Sequence, residues 1–204
     1  MALALNKTTL KQQRDQAKTY RQFLPSLELK RQQLLAALKS AKLEKQALDS
    51  RRTELYASLE EIFPLLGSST IATRNISSLV RLESVDIEEE NVLGTRLPVV
   101  REVNFVLQSY SKLIAPFWVD ELVSQLKVDA TLRVQQQVAD QRVLRLELAS
   151  RRITQRVNLF EKVLIPRAEE HIRRIVIFLS DQERAAVVRS KIAKSKDSLL
   201  TSSS

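Results

Sequence analysis

The chain has 204 residues, of which 28% are charged, 44% apolar and 5% aromatic, with two glycines, five prolines and no cysteine. So little glycine and proline leaves little material for loops, and so few large rings cannot fill a thick globular centre; long elements packed along a narrow seam are expected. The lack of cysteine removes disulfides and thiolate metal sites and fits a reducing compartment, with the cytoplasm as the default, while a formal charge of +9 draws the chain toward an acidic partner surface.

From Leu10 a three-then-four spacing runs through Gln13, Ala17, Tyr20, Leu24, Leu27, Arg31, Leu34, Leu38, Ala41, Lys45, Leu48, Arg52, Leu55, Leu59, Ile62 and Leu66. A repeat of 3.5 residues held over this length predicts a helix that winds around a partner helix. It should start near Leu5 or Asn6 and stop near Ile62, where Phe63, Pro64 and Gly67 follow; such a helix would be about 85 Å long. Pro25 falls inside it and predicts a kink at residues 21–25 or a short break reopened by Ser26. The charges at Arg31, Lys45 and Arg52 in the seam are expected to snorkel, their stems packed and their heads in solvent.

The middle reads differently. Residues 67–81 are rich in Ser and Thr, which predicts a short helix or a loop packed on the first helix. The period then changes to two: Val85 and Ile87 alternate with Ser84, Asp86 and Glu88, and a β-prone run from Thr95 to Val103 follows Gly94. A β-hairpin over about 84–103 is expected, with Pro98 on an edge or at a bulge. Two strands alone are marginal, so the hairpin must lean on a helix or on another protein.

Pro116, Trp118 and Asp120 open a second long helix with no clear stop before Ser195. Its seam is Ile153, Val157, Phe160, Leu164, Ala168, Ile172, Ile175, Leu179, Gln182 and Ala186. Successive steps of four through Phe160, Leu164, Ala168 and Ile172 bracket Pro166 and form a stutter that should unwind the supercoil and bend the helix. The helix outruns its partner, so its first turns should pack on the central insert. Trp118 fits either that packing or an anchor for a partner protein. Ser195–Ser204 reads as a frayed tail. The fold class that follows is mainly α: a long antiparallel two-helix coiled coil, residues 1–66 and 118–204, with a small insert at 67–117 that carries the β-hairpin.

Chemistry has few places to sit. Gly67 and Gly94 are isolated, which excludes a phosphate loop or dinucleotide fingerprint. His171 is the sole histidine, flanked by Glu169 and Glu170; that makes no usual zinc site, and a polar residue bordering the seam is the better reading. Glu88, Glu89 and Glu90 would point to opposite faces of a strand and suit a solvated tip or a basic partner better than acid-base catalysis. No catalytic residue, cofactor or metal is expected. The apolar opening before Lys7 is too short for a secretory signal, and residues 62–73, the longest uncharged run, cannot span a bilayer.

Several segments together resemble the D subunit of the V-type and archaeal A-type rotary ATPases. They are Asn6-Lys-Thr-Thr-Leu-Lys11, Leu27-Glu-Leu-Lys-Arg-Gln-Gln-Leu-Leu35, the turn Asn91-Val-Leu-Gly-Thr-Arg-Leu-Pro98, and Arg152-Ile-Thr-Gln-Arg-Val-Asn-Leu-Phe-Glu-Lys-Val-Leu-Ile-Pro-Arg167. The resemblance implies a non-catalytic central rotor, cytoplasmic and peripheral to the membrane. Its paired helices would enter the cavity of the catalytic A/B-type hexamer, the small central-stalk F subunit would bind its middle, and a funnel-shaped subunit would link it to the membrane ring. On that reading Lys7, Lys11, Arg14, Arg184, Arg189 and Lys191 face the hexamer cavity. Val85, Ile87, Glu89, Val92, Leu93, Arg96 and Val99 form a regulatory hairpin or bind the small stalk subunit. Two other classes fit the bare pattern: a prefoldin-like holdase, disfavoured by basic distal ends, and a basic coiled-coil arm for nucleic acid, disfavoured by the scarcity of aromatics for stacking.

Overall fold

The computed structural model describes residues 3–60, 80–107 and 118–201, with side chains to residue 194. Its elements are helix α1 (Lys7–Glu60), strands β1 (Val80–Val92) and β2 (Thr95–Leu107), helix α2 (Trp118–Leu159), a π-helical turn (Phe160–Leu164) and helix α3 (Ile165–Thr201). The chain is mainly helical, with one small antiparallel sheet in the middle. It divides into two compact units, residues 31–152 and residues 1–30 with 153–204. Of the segment expected as a short helix or loop, residues 67–81, only Val80 and Arg81 are described, and they are the first residues of β1 instead; the rest lies outside the described residues, as do the stop signals at Phe63, Pro64 and Gly67 and the helix-opening Pro116.

Helix α1 begins where its capping residue dictates. Asn6 Oδ1 accepts the Thr9 amide at 2.7 Å and the Asn6 carbonyl accepts Leu10 N–H at 3.0 Å, so one otherwise unpaired donor of the first turn is satisfied. The helix continues through Pro25 without a break. Every described position of the stripe from Leu10 to Leu59 is buried or half-buried, and only Thr9, Glu28 and Ala37 join them on this helix. A two-residue-wide seam of this kind is what the 3.5 repeat demands.

In residues 31–152, α1 and α2 run antiparallel: Lys42 pairs with Glu147, Lys45 with Asp140 and Arg52 with Asp129. Leu59, Trp118, Val119, Leu122 and Val123 form a buried cluster, with Leu55, Val80 and Leu126 packed on it. The first turns of α2 therefore pack on the end of α1 as well as on the hairpin, and Trp118, 6% exposed, is a core residue. A second cluster joins Leu48, Leu132 and Ala139, while Leu34 and Leu146 are almost completely buried. Acids Asp120 and Glu121 lie in the first turn of α2, where they oppose the positive end of the helix dipole.

The hairpin is longer than the sequence period suggests, with thirteen residues in each strand. Its two-residue turn has Leu93 at φ 54° and Gly94 at φ 82°, the left-handed pair that a type I′ turn needs. Asn91 Oδ1 accepts the Gly94 amide at 2.9 Å. Leucine in this region costs about 1–2 kcal/mol of backbone strain. Register breaks between Leu82 and Ser84 and between Asp86 and Ile87 mark two bulges, the first at the border of residues 84–103 and the second inside that span. From the closing pair Val92 and Thr95, hydrogen-bonded and non-bonded pairs alternate, which puts Pro98, opposite Glu89, at a non-bonded position where no ladder donor is needed.

Residues 1–30 and 153–204 contain only helix among the described residues. Ala17, Ile153, Val157, Ala168 and Ile175 are buried there, and Tyr20 meets Phe160 edge-on with ring centroids 5.4 Å apart. The stutter anticipated around Pro166 takes the form of the π-helical turn, in which Ile165 N–H donates to the Phe160 carbonyl. Pro166 cannot donate to the Lys162 carbonyl, so the wider turn just ahead of it absorbs the mismatch between pattern and helix. Two positions depart from the expected seam: Gln182 and Ala186 are exposed, as is every described residue from Asp181 to Lys194. The reason is length, because Lys7 at the start of α1 lies beside Glu183, Nζ 4.0 Å from Oε1, and the later turns of α3 have no described helix of this unit opposite them.

Candidate functional site

Three groups of side chains are candidates, and each grows from a different element. The first is the basic end of residues 1–30 and 153–204. Lys7, Lys11, Arg14, Arg184, Arg189 and Lys191 are all exposed. Lys7 and Arg189 line one cleft of about 630 Å³ together with Phe178 and Glu183. Between the cations of α3, Val187, Val188 and Ile192 are each more than half exposed. Arg184, Val188, Lys191 and Ile192 recur at helical spacing, so one face of α3 mixes fixed positive charge with aliphatic surface.

The second group is the hairpin. Val85, Val92 and Leu93 are half-buried and Ile87 is 49% exposed. Glu89 is engaged from two sides, by Arg96 Nη1 at 3.7 Å and by Arg145 Nη1 at 3.4 Å. Arg145 also donates to the Arg96 carbonyl at 2.8 Å, which ties the tip-proximal part of β2 to α2. Val99 faces a cleft lined by both helices of its unit. The set therefore divides into the exposed Ile87, Glu89 and Arg96 engaged with Arg145, and Val99 at the cleft.

The third group is not among the residues that the sequence points to: a polar network inside the seam of residues 31–152. Asp129 is buried; its Oδ2 is 2.8 Å from Arg133 Nε and its Oδ1 3.5 Å from Arg52 Nε. Arg52 donates through Nη1 to Gln136 Oε1 at 2.8 Å and through Nε and Nη2 to the Tyr56 hydroxyl, and its guanidinium lies 5.2 Å from the Tyr56 ring centre. Gln136 in turn donates to Asp49 at 2.7 Å. The Tyr56 hydroxyl and the Asp129 carboxylate push the Arg133 guanidinium above its ordinary value. Arg52 is thus engaged by protein groups instead of snorkelling to solvent. The sequence does hold a signal for it: counting back from Ile153 by three and four lands on Ser150, Leu146, Val143, Ala139, Gln136, Leu132 and Asp129, so two polar members of α2's stripe, Gln136 and Asp129, are the residues that meet Arg52 of α1's.

Flanking this network are two exposed pairs. Lys45 Nζ lies 2.6 Å from Asp140 Oδ1, and the hydrogen bond and charge of Asp140 hold the ammonium above its usual value. Lys42 Nζ lies 2.8 Å from Glu147 Oε1, and that hydrogen bond, then the Lys42 charge, hold the carboxyl below the ordinary glutamate range. In the other unit, His171 is half-buried with Nδ1 3.1 Å from Gln13 Oε1, a cross-seam hydrogen bond between two polar seam-border residues. Among the described residues there is no group of three His, Cys, Asp or Glu that could hold a metal ion, and no helix is long and apolar enough to cross a membrane.

These surfaces are suited to holding other proteins. The family model for the D subunit of ATP synthase matches residues 9–195. The V-type ATP synthase D subunit of Borreliella burgdorferi is 34% identical over 95% of this chain and 94% of its own length. Those of Chlamydia pneumoniae and Chlamydia abortus are 32% and 36% identical, covering 94% and 85% of this chain and 91% and 83% of theirs. With the family model spanning nearly the whole chain and relatives above 30% identity over almost their full length, the chain belongs to the family of ATP synthase D subunits.

Proposed function

We propose that this chain is the non-catalytic central rotor shaft of a V/A-type rotary ATPase or ATP synthase, coupling nucleotide turnover in a catalytic hexamer to rotation of the membrane ion-translocating ring. The observation that carries the reading is the basic end of residues 1–30 and 153–204, where α3 runs on past its last seam residue with every described side chain exposed. Such a segment is finished only when something surrounds it. A ring of A/B-type subunits with an acidic inner wall would do so, and the cytoplasmic side of a membrane-bound complex is where it would sit.

Mechanism follows from symmetry. An antiparallel helix pair has no threefold axis, so inside a threefold ring it presents a different face to each catalytic interface and biases each toward a different conformation. Turning the pair passes those biases around the ring. Long-range charge at Lys7, Lys11, Arg14, Arg184, Arg189 and Lys191 attracts the wall without the angular lock that deep interdigitation would impose. In the same reading the small F subunit docks on the middle of the chain, a funnel-shaped subunit joins it to the ring, and the exposed Ile87 of the hairpin is the contact or regulatory position.

The test is charge reversal in the assembled complex. Replacing Lys7, Lys11, Arg184 and Arg189 together by Glu should leave the chain folded but lower single-molecule torque and uncouple ATPase rate from ion transport. Unchanged torque and coupling would sink the role given to these charges.

A further inference from the structure

The seam of residues 153–179 holds one residue more than its heptads need. Ile153 to Phe160 and Ala168 to Ile175 are steps of seven, as are Val157 to Leu164 and Ile172 to Leu179, but Phe160 to Ala168 and Leu164 to Ile172 are steps of eight. Helix α1 keeps steps of seven from Leu10 to Leu59. The surplus falls at the π-helical turn, whose i→i+5 bonds span one residue more than α-helical ones. Leu164 and Ile165 are both half-buried there, so the seam has two candidates for one place. Were the exposed Lys162 absent, Phe160, Ile165, Ala168, Ile172 and Ile175 would follow at an unbroken four-and-three spacing.

The partner helix is weakened close to the same level. Pro25 cannot donate to the Arg21 carbonyl and Pro166 cannot donate to that of Lys162, so each helix lacks one bond of its ladder. Ser26 Oγ donates to the Phe23 carbonyl at 2.8 Å and competes for the acceptor of the next turn. Tyr20 meets Phe160 edge-on between the two prolines. The helices are antiparallel here, with Lys7 beside Glu183 and Gln13 beside His171, so Pro25 and Pro166 lie about 8 Å to opposite sides of that contact. Packing is thin on the Pro166 side, where the buried seam residues Ala17 and Ala168 are small and a cleft of about 430 Å³ opens beside Ala17 and Ile172. To either side, Val157 and Ile175 are completely buried and fasten the helices together. Sharp bends in helices trace to prolines and π turns, and this pair carries both around one aromatic contact.

We infer that residues 20–26 and 160–168 form a bending joint in this helix pair, with the Tyr20 and Phe160 rings as its pivot. Both helices tilt at that level because each lacks a ladder bond and the seam has a residue to spare. The basic end thereby changes its angle while Val157 and Ile175 stay packed. The inference concerns residues 1–30 with 153–204 alone and does not rest on the rotor reading.

The experiment measures amide residual dipolar couplings and hydrogen exchange of the full-length ¹⁵N-labelled chain. Couplings from residues 10–17 with 168–179 and from residues 26–30 with 153–159 should need two alignment tensors of different magnitude. Combining Pro25→Ala and Pro166→Ala with deletion of Lys162 gives two unbroken helices, and both sides should then fit one tensor at an unchanged or higher melting temperature. The Ile165 amide is hydrogen-bonded to the Phe160 carbonyl, so a rigid turn would protect it as well as Ile175. A joint opens that bond, and Ile165 should exchange at least about tenfold faster than Ile175. Deleting the exposed Lys18, from a stripe with nothing to spare, should instead lower the melting temperature. One tensor for both sides of the parent, or equal protection of Ile165 and Ile175, overturns the joint; loss of the fold on deleting Lys162 overturns the surplus residue on which it rests.

Discussion

Residues 31–152 and residues 1–30 with 153–204 are built on the same heptad logic and are held together differently. The first unit has a third element. Its hairpin lets Leu97 and Pro98 join a buried set that includes Trp118, Leu122, Leu34 and Leu146, and the seam between its helices carries a polar network around Asp129. The second is described by helices only, and its buried apolar residues are Ala17, Ile153, Val157, Ala168 and Ile175. A two-helix seam can close over one row of side chains, whereas a third layer closes over a cluster. Stability should therefore be concentrated in residues 31–152, and the surface open to partners in the other unit.

The comparison is broken most forcefully by removing one large side chain from each unit. Trp118→Ala empties the centre of the cluster at the start of α2 and should cost about 3–5 kcal/mol, while Ile175→Ala should cost roughly 2–4 kcal/mol. Residue-level hydrogen exchange completes the measurement. Amides of α2 between Leu122 and Leu146 should exchange more slowly than those of the paired part of α3, between Ala168 and Leu179. Equal protection in the two places would mean that the hairpin adds no stability.

The next largest effect concerns the network. Asp129→Ala leaves Arg52 and Arg133 facing each other without their shared carboxylate. A fully buried pair broken this way costs about 3–5 kcal/mol. Here the arginine side chains are 29% and 58% exposed, so solvent relieves part of the penalty and about 2 kcal/mol is expected by urea denaturation. The pair also sets register. A slide of one heptad would bring Asp129 against the apolar Leu59 and leave Arg52 beside Gln136 without an acid, so the variant should show new cross-links between cysteines placed one heptad out of register.

How much of this is legible in the sequence can be judged residue by residue. The α1 stripe is legible from Leu10 to Leu59 because period 3.5 reports a narrow seam whatever covers it, and the stutter at Pro166 coincides with the π-helical turn. The hairpin's turn is legible from Gly94, but its ends are not, since the bulge at Leu82/Ser84 breaks the alternation that marks a strand. Sequence alone leaves Arg52 snorkelling because its acceptors, Asp129 and Gln136, lie far away along the chain. Gln182 stands level with the first turn of α1, where Lys7 meets Glu183, and Ala186 continues the pattern of α3 past it, which a single stripe cannot reveal. Among candidate site residues, the basic end is visible as composition, while the clamping of Glu89 and Arg96 by Arg145 depends on tertiary placement.

A smaller effect probes the turn. Leu93 holds φ 54°, a conformation that glycine adopts without the clash a Cβ creates. Leu93→Gly should stabilise the hairpin by about 1 kcal/mol, seen as slower exchange of the β1 and β2 amides. If exchange is faster instead, the leucine side chain contributes packing that outweighs the strain, and its half-buried position would be the reason.

The smallest expected effect is a pH dependence, and it separates an exposed pair from the network. Lys42 lowers the Glu147 carboxyl in the folded chain. A depressed folded value means that the pair's contribution is complete above the unfolded glutamate value of about 4.3 and is lost as pH falls through the lower folded value. Glu147→Gln should therefore be slightly less stable than the parent near neutrality, and the two stability curves should converge as pH falls below the unfolded glutamate value of about 4.3. Lys45 runs the opposite way. Asp140 raises its folded value, so that contribution is present below the unfolded lysine value of about 10.4 and fades as pH rises through the folded one. Parallel curves for parent and Glu147→Gln across the acid range would show that the exposed pair contributes nothing, leaving cohesion of the α1 and α2 seam to the Asp129 network and the apolar clusters.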